Sequence, residues 1–121
     1  MFIIETDSSK RLLVISVAGQ ATAEEAKDAA QRVREVLENV TAGFVAFIDF
    51  RWLESMATAA APFIAEIMDA LAAKKVSAVV RVVPDPHKDI GLNILSQFHY
   101  GPEIRVMTFE SLADAVQSLV A

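Results

Sequence analysis

The sequence predicts an α/β fold: a mixed sheet of four to five strands, opened by a β-hairpin, continued by parallel β-α units and covered by about four helices. Three observations carry this. Apolar, β-branched runs alternate with helical segments along the chain. Two of those runs are continuous rather than alternating, as a strand covered on both faces requires. Capping and breaking residues punctuate the segments between them, and strands alternating with helices imply right-handed parallel crossovers.

Residues 1–6 and 11–18 are apolar runs separated by Asp7-Ser8-Ser9-Lys10, a polar turn of the length that joins antiparallel strands. After Gly19-Gln20-Ala21, Thr22 and Glu25 form a T-x-x-E capping box. Ala26, Ala29, Ala30, Val33, Val36, Leu37 and Val40 then recur at three- and four-residue steps, which predicts an amphipathic helix to about Asn39. Lys27, Asp28, Gln31, Arg34, Glu35 and Glu38 fall on its solvated face. Residues 44–48 read as the central strand. A helix over about 59–74 follows, with Phe63, Ile64, Ile67, Met68 and Leu71 as its apolar stripe and Pro62 marking its first turn. Residues 76–83 are a second buried strand, stopped by Pro84. Asp85 and Pro86 open a further helix through Ile90, Ile94, Leu95 and Phe98 that ends at Gly101-Pro102. A last strand covers 104–109, and Ser111 caps a closing helix carrying Leu112, Ala115, Val116 and Leu119.

At 121 residues the chain fits a single domain, 1–121, in which folding buries roughly two thirds of the surface exposed by the unfolded chain. A hydrophobic content of 54% and a mean hydropathy of +0.39 exclude disorder. No apolar run approaches the roughly 18 to 20 residues of a membrane helix, and the first residues lack the basic flank of a signal peptide. The expected location is the cytoplasm, without membrane insertion. The absence of cysteine excludes disulfides, thiol nucleophiles and thiolate metal sites. A net charge of -5 offers no basic surface to a nucleic acid. The expected partners are another protein or a small ligand.

In such a fold a site lies beyond the carboxyl ends of the strands, which places interest on residues 49–58, 83–88 and 109–111. Asp49, Arg51 and Arg81 are charges in segments whose pattern otherwise demands hydrocarbon, and a buried charge needs a partner. An Asp49–Arg81 ion pair is the plain expectation. The sharper one is that Arg51 and Arg81 offer a forked donor set to a small anion, with Trp52 as a wall. Trp52 reads equally as a core plug or an interface anchor. Asp85, His87 and Asp89 crowd one helix start, but their spacing matches no metal motif, so no metal site is expected. His87 and His99 read as surface residues. The chain carries no nucleophile elbow, Walker loop, dinucleotide fingerprint or H-E-x-x-H helix, so no catalytic residues and no cofactor are expected.

The order of elements resembles a known family. Residues 94–101, Ile-Leu-Ser-Gln-Phe-His-Tyr-Gly, followed by residues 104–115, Ile-Arg-Val-Met-Thr-Phe-Glu-Ser-Leu-Ala-Asp-Ala, are similar to the closing helix, strand and helix start of the STAS domain, the SpoIIAA-like fold of the anti-anti-sigma factors of bacterial partner switching. The strand over 44–49, ending in an aspartate, is similar to the segment before that family's signature loop. The resemblance covers nearly the whole chain and implies a STAS-like sandwich. The signature Asp-Ser-Ser-Gly, counted from Asp49, falls on Ala57-Thr58-Ala59-Ala60. Thr58 stands where a partner kinase phosphorylates a serine, while the preceding aspartate and following glycine are absent. The resemblance therefore implies a non-enzymatic regulatory domain with Thr58 as phospho-acceptor, or Ser55 if the alignment carries a gap. Its partner would be an anti-sigma factor or kinase. Read structurally, Thr58 is a helix N-cap. The alternative function is binding or sensing of an apolar or anionic small molecule beside Asp49, Arg51, Trp52 and Arg81. A purely structural homo-oligomer, a homodimer for instance, formed through the hairpin edge or an Ala-rich helix is a third reading.

Overall fold

The computed structural model describes residues 1–7, 11–83 and 99–120. The turn over residues 8–10, most of the helix expected from Pro86 onward, and the Asp85, His87 and Asp89 cluster lie outside these residues.

The N-terminal hairpin forms as expected. Strand β1 (Phe2–Asp7) pairs antiparallel with β2 (Leu12–Ala21), Phe2 opposite Val17 and Asp7 opposite Leu12. Helix α1 (Ala23–Leu37) begins at the predicted capping box: Thr22 Oγ1 accepts the Glu25 amide at 3.1 Å and donates to Glu25 Oε1 at 3.1 Å. Its buried positions Ala26, Ala29, Ala30, Val33 and Leu37 are those of the sequence periodicity. Strand β3 (Val45–Met56) runs parallel to β2, and helix α2 (Ala61–Ala73) leads to β4 (Ala78–Val82), parallel to β3. Strand β5 (Arg105–Phe109) is parallel to β4, and α3 (Leu112–Val120) closes the chain, its Asp114 amide bonded to Ser111 Oγ at 3.2 Å. The described residues thus hold a five-stranded mixed sheet and three helices.

The spatial order of the strands, β1-β2-β3-β4-β5, repeats their order in the chain. Successive right-handed crossovers that step in one direction put their helices on one face. Helices α1 and α2 accordingly cover Leu13, Ile15, Ala46, Ile48 and Val79, the main core. The opposite face is covered by α3, which packs Ala115, Leu112 and Leu119 on Phe47, Val80 and Val82. Coverage from both sides is why the central strands read as unbroken apolar runs.

The C-terminus of α2 is a Schellman turn. Lys75, at φ +66, donates to Ala72 at 3.0 Å, the Val76 amide reaches Leu71 at 3.1 Å, and the side chains of Leu71 and Val76 are both buried. It turns the chain directly into β4.

One expectation fails on length. The central strand does not stop at Ile48 and residues 49–56 are not a loop: β3 continues to Met56, paired with β2 as far as Met56 opposite Ala21. Two register shifts, between Ser16 and Ala18 and between Gly19 and Gln20, interrupt this stretch, and Gly19 takes φ +69 there. Strand β4 pairs with β3 only from Val45 to Asp49. Beyond Asp49 the two strands therefore project as a ribbon. A ribbon without helices on both faces needs no continuous hydrophobic run, so its mixture of apolar and polar residues reads like a loop.

Candidate functional site

The projecting ribbon and the entrance of α2 bring together most of the residues singled out from sequence. Asp49 is the last residue of β3 paired to β4, 8% exposed, and alternates with Phe47 onto the α3 face. Its carboxylate is held by Arg51, two residues on: it accepts from the Arg51 amide at 2.9 Å, from Nε at 3.0 Å and from Nη2 at 2.9 Å. This is a forked, charge-assisted pair, and hydrogen bonding by the Asp49 carboxylate raises the already high Arg51 pKa further. The same guanidinium lies 5.5 Å from the centroid of the Trp52 ring. Trp52 is 65% exposed, so it is not a core plug.

Arg81 is elsewhere. It stands opposite Ile48 and Thr108 in the sheet register and therefore points to the α1–α2 face. There it is 3% exposed and donates to Thr108 Oγ1 from Nε at 3.1 Å and from Nη2 at 2.8 Å. The expected Asp49–Arg81 ion pair is thus replaced by Asp49–Arg51 and Arg81–Thr108, because neighbouring register positions face opposite sides of a sheet. For the same reason Asp49, Arg51, Trp52 and Arg81 do not line one pocket.

On its own face Arg81 borders a small cavity of about 30 Å³ under α2, walled by Ile48, Phe50, Ile64, Met68 and the buried ring of Tyr100. Tyr100 was not singled out in the sequence, and a lone tyrosine near a helix end gives no signal of burial. Burial pushes its hydroxyl above the ordinary value of 10.0, with the nearby Arg81 charge pulling partly back. Tyr100 is the only tyrosine. Because its folded pKa lies above the unfolded one, its contribution to stability is complete below pH 10 and declines as pH rises beyond it. Alkaline titration is expected to show tyrosinate absorbance appearing together with loss of near-ultraviolet dichroism, and Tyr100→Phe is expected to shift that unfolding to higher pH. His99, read as a surface residue, is half-buried with Nδ1 2.6 Å from Asp69 Oδ1 of α2.

Thr58 opens a 3-10 turn, Thr58–Ala60, that runs straight into α2. It is exposed, as is Ser55 at the end of the ribbon. Thr58 is not an N-cap: Ala57 holds that position for the turn and Ala60 for the helix, and neither end has a side-chain cap. The Ala57 amide, bonded to Ala21 O at 2.9 Å, and the buried Ala60 fix the backbone on either side of Thr58. Thr58 thus stands exposed beside the positive end of α2, which has no side-chain cap.

No protein-family model and no curated protein matches the sequence. Solved structures do match. A protein of the DUF3478 family with a SpoIIAA-like fold, from Shewanella loihica PV-4, superposes with a TM-score of 0.72 at 20% identity, over 98% of this chain and 92% of its own. The anti-sigma factor antagonist SpoIIAA in its unphosphorylated form gives 0.67 at 16% identity, over 99% and 97%. An anti-sigma factor antagonist from Mycobacterium paratuberculosis gives 0.62 at 19% identity, over 100% and 94%. The chain has the SpoIIAA-like fold. Within this SpoIIAA-like sheet the ribbon strand β3 leads through the Thr58 turn directly into α2. Among the described residues no group of three or more metal-ligating side chains gathers, and no helix is long and apolar enough to cross a membrane.

Proposed function

We infer that the chain is a regulatory binding domain without catalytic turnover, acting on a protein partner that docks on the ribbon and the entrance of α2. The observation that carries this reading is the placement of Thr58: exposed, on a fixed backbone, at the open positive end of a 13-residue helix. The similarity to antagonists of anti-sigma factors, one of them solved in both its unphosphorylated and phosphorylated forms, supports it. A phosphate on Thr58 would add about -1.5 to -2 charges, which the positive dipole end of a helix tolerates and a docked acidic or apolar partner does not. Contact would be lost without unfolding. Trp52, exposed and backed by Arg51, supplies the aromatic anchor such a surface needs.

The test is a capture experiment from the native cell, quantified by mass spectrometry. Thr58→Ala is expected to retain the partner and Thr58→Glu to lose it, with identical circular dichroism. Equal recovery by both variants rejects the reading at Thr58, and the same pair of substitutions at Ser55 then decides whether the acceptor lies there.

A second reading, binding of a small apolar or anionic molecule, draws on the hydrocarbon walls and the buried Arg81 cation of the cavity under α2. At about 30 Å³ that cavity suits a water-sized guest. Anything larger requires α2 to shift, so partner binding is the reading the geometry favours.

A further inference from the structure

Strand β1 is the outer edge of the sheet, and among the described residues nothing pairs with its free side. Which of its groups face outward follows from the hairpin. Met1 and Ala18 exchange both hydrogen bonds, at 2.8 and 2.9 Å, so in this register Ile3 and Glu5 also aim their backbone groups at β2. Phe2, Ile4 and Thr6 then present amides and carbonyls to the outside. The edge is lightly protected: six residues without proline, lysine or bulge, with Glu5 as an exposed charge and Ile3 43% exposed.

We propose that this edge pairs antiparallel with the β1 strand of a second copy of the chain, making a continuous ten-stranded sheet. The sequence is self-complementary about Ile3. A two-fold axis there sets Ile3 against the second copy's Ile3 on one face and Phe2 against the second copy's Ile4 on the other, with Phe2 and Ile4 exchanging the outward hydrogen bonds. Phe2, Ile3 and Ile4 then meet only apolar side chains, and at the margins Met1 stands opposite the second copy's Glu5. A register centred one residue later would set Ile3 against Glu5.

Helix α1 supplies charge complementarity on the same seam. Phe2 and Ile4 share a groove with Asp28 and Arg32 of α1, so these two exposed side chains border the edge strand. An axis perpendicular to the sheet keeps both α1 helices on one face and runs them antiparallel. Asp28 of each copy then faces Arg32 of the other, an arrangement that favours a second copy over an unrelated strand.

Sedimentation equilibrium from micromolar to millimolar concentration is expected to show a monomer–dimer equilibrium. Amide exchange by NMR supplies the signature of the edge. The Ile4 and Phe2 amides gain protection as concentration rises, whereas the Ile3 and Glu5 amides, already bonded to β2, do not change. Ile3→Lys, which sets two like charges on the axis, is expected to weaken the dimer by about tenfold or more without altering the fold. Asp28→Arg is expected to weaken it as well, and addition of Arg32→Asp to restore it. A monomer at every concentration overturns the proposal, whether or not another protein adds a strand there. So does a dimer whose Phe2 and Ile4 amides exchange as in the monomer, or a double variant as weak as Asp28→Arg alone.

Discussion

Phe44→Ala is expected to destabilise the fold by about 3–5 kcal/mol, a large share of the roughly 5–15 kcal/mol that holds a domain of this size together. Phe44 is fully buried at the entrance of β3, where the main core lies under both α1 and α2. Its carbonyl also accepts the Ser77 amide at 2.8 Å and the Ser77 hydroxyl at 3.0 Å, which ties the start of β3 to the approach to β4. Truncation leaves a cavity that cannot collapse, because the backbone around it is pinned by those bonds. Urea titration is the measurement: the midpoint falls while the slope stays the same. Trp52→Ala is the matched contrast. At 65% exposure its loss is expected to change stability by no more than about 0.5 kcal/mol while reducing partner capture.

Breaking the Asp49–Arg51 pair is expected to give unequal costs from its two sides. Asp49 is 10% exposed in its side chain and Arg51 is 31% exposed. Removing the carboxylate leaves a guanidinium that can turn toward water, and Asp49→Ala is expected to cost about 1.5 kcal/mol. Removing the guanidinium leaves a buried carboxylate with, among the described residues, only the backbone amide of residue 51 as donor, and Arg51→Ala is expected to cost about 3 kcal/mol. The double variant should cost less than the sum, and the shortfall measures the coupling. Additive costs would show that the two side chains are not paired in solution. Asp49→Ala also frees the guanidinium to leave the Trp52 ring and Arg51→Ala removes it, so partner capture should fall with either.

The main features of the fold were legible because burial on two faces leaves a one-dimensional trace. Residues 44–48 and 76–83 are unbroken hydrocarbon, and Thr22, Ser111 and Pro62 mark helix starts by local chemistry alone. The candidate site was legible only as a region, from Asp49 to Thr58, and illegible in its pairings. Whether Asp49 meets Arg81 depends on register: Asp49 lies opposite Val82, and Arg81 opposite Ile48, so the two charges project to opposite faces. Nothing local in a sequence fixes that parity. The ribbon was missed for a related reason, since a strand pair outside the helical layers has no pattern to distinguish it from a loop. Thr58 looks like a cap because threonine is a good one, yet the 3-10 turn moves the cap positions to Ala57 and Ala60. Burial of Tyr100 depends on how the chain returns beneath α2, which no local motif announces.

The strand order also bears on how the protein assembles during synthesis. Each new strand adds to the outer side of the one before it and none has to insert between two already joined. Growth of the sheet can therefore keep pace with emergence of the chain from the ribosome, with short loop closures at each addition. The last of the five strands to arrive completes one margin of the sheet, and the earliest of them holds the other.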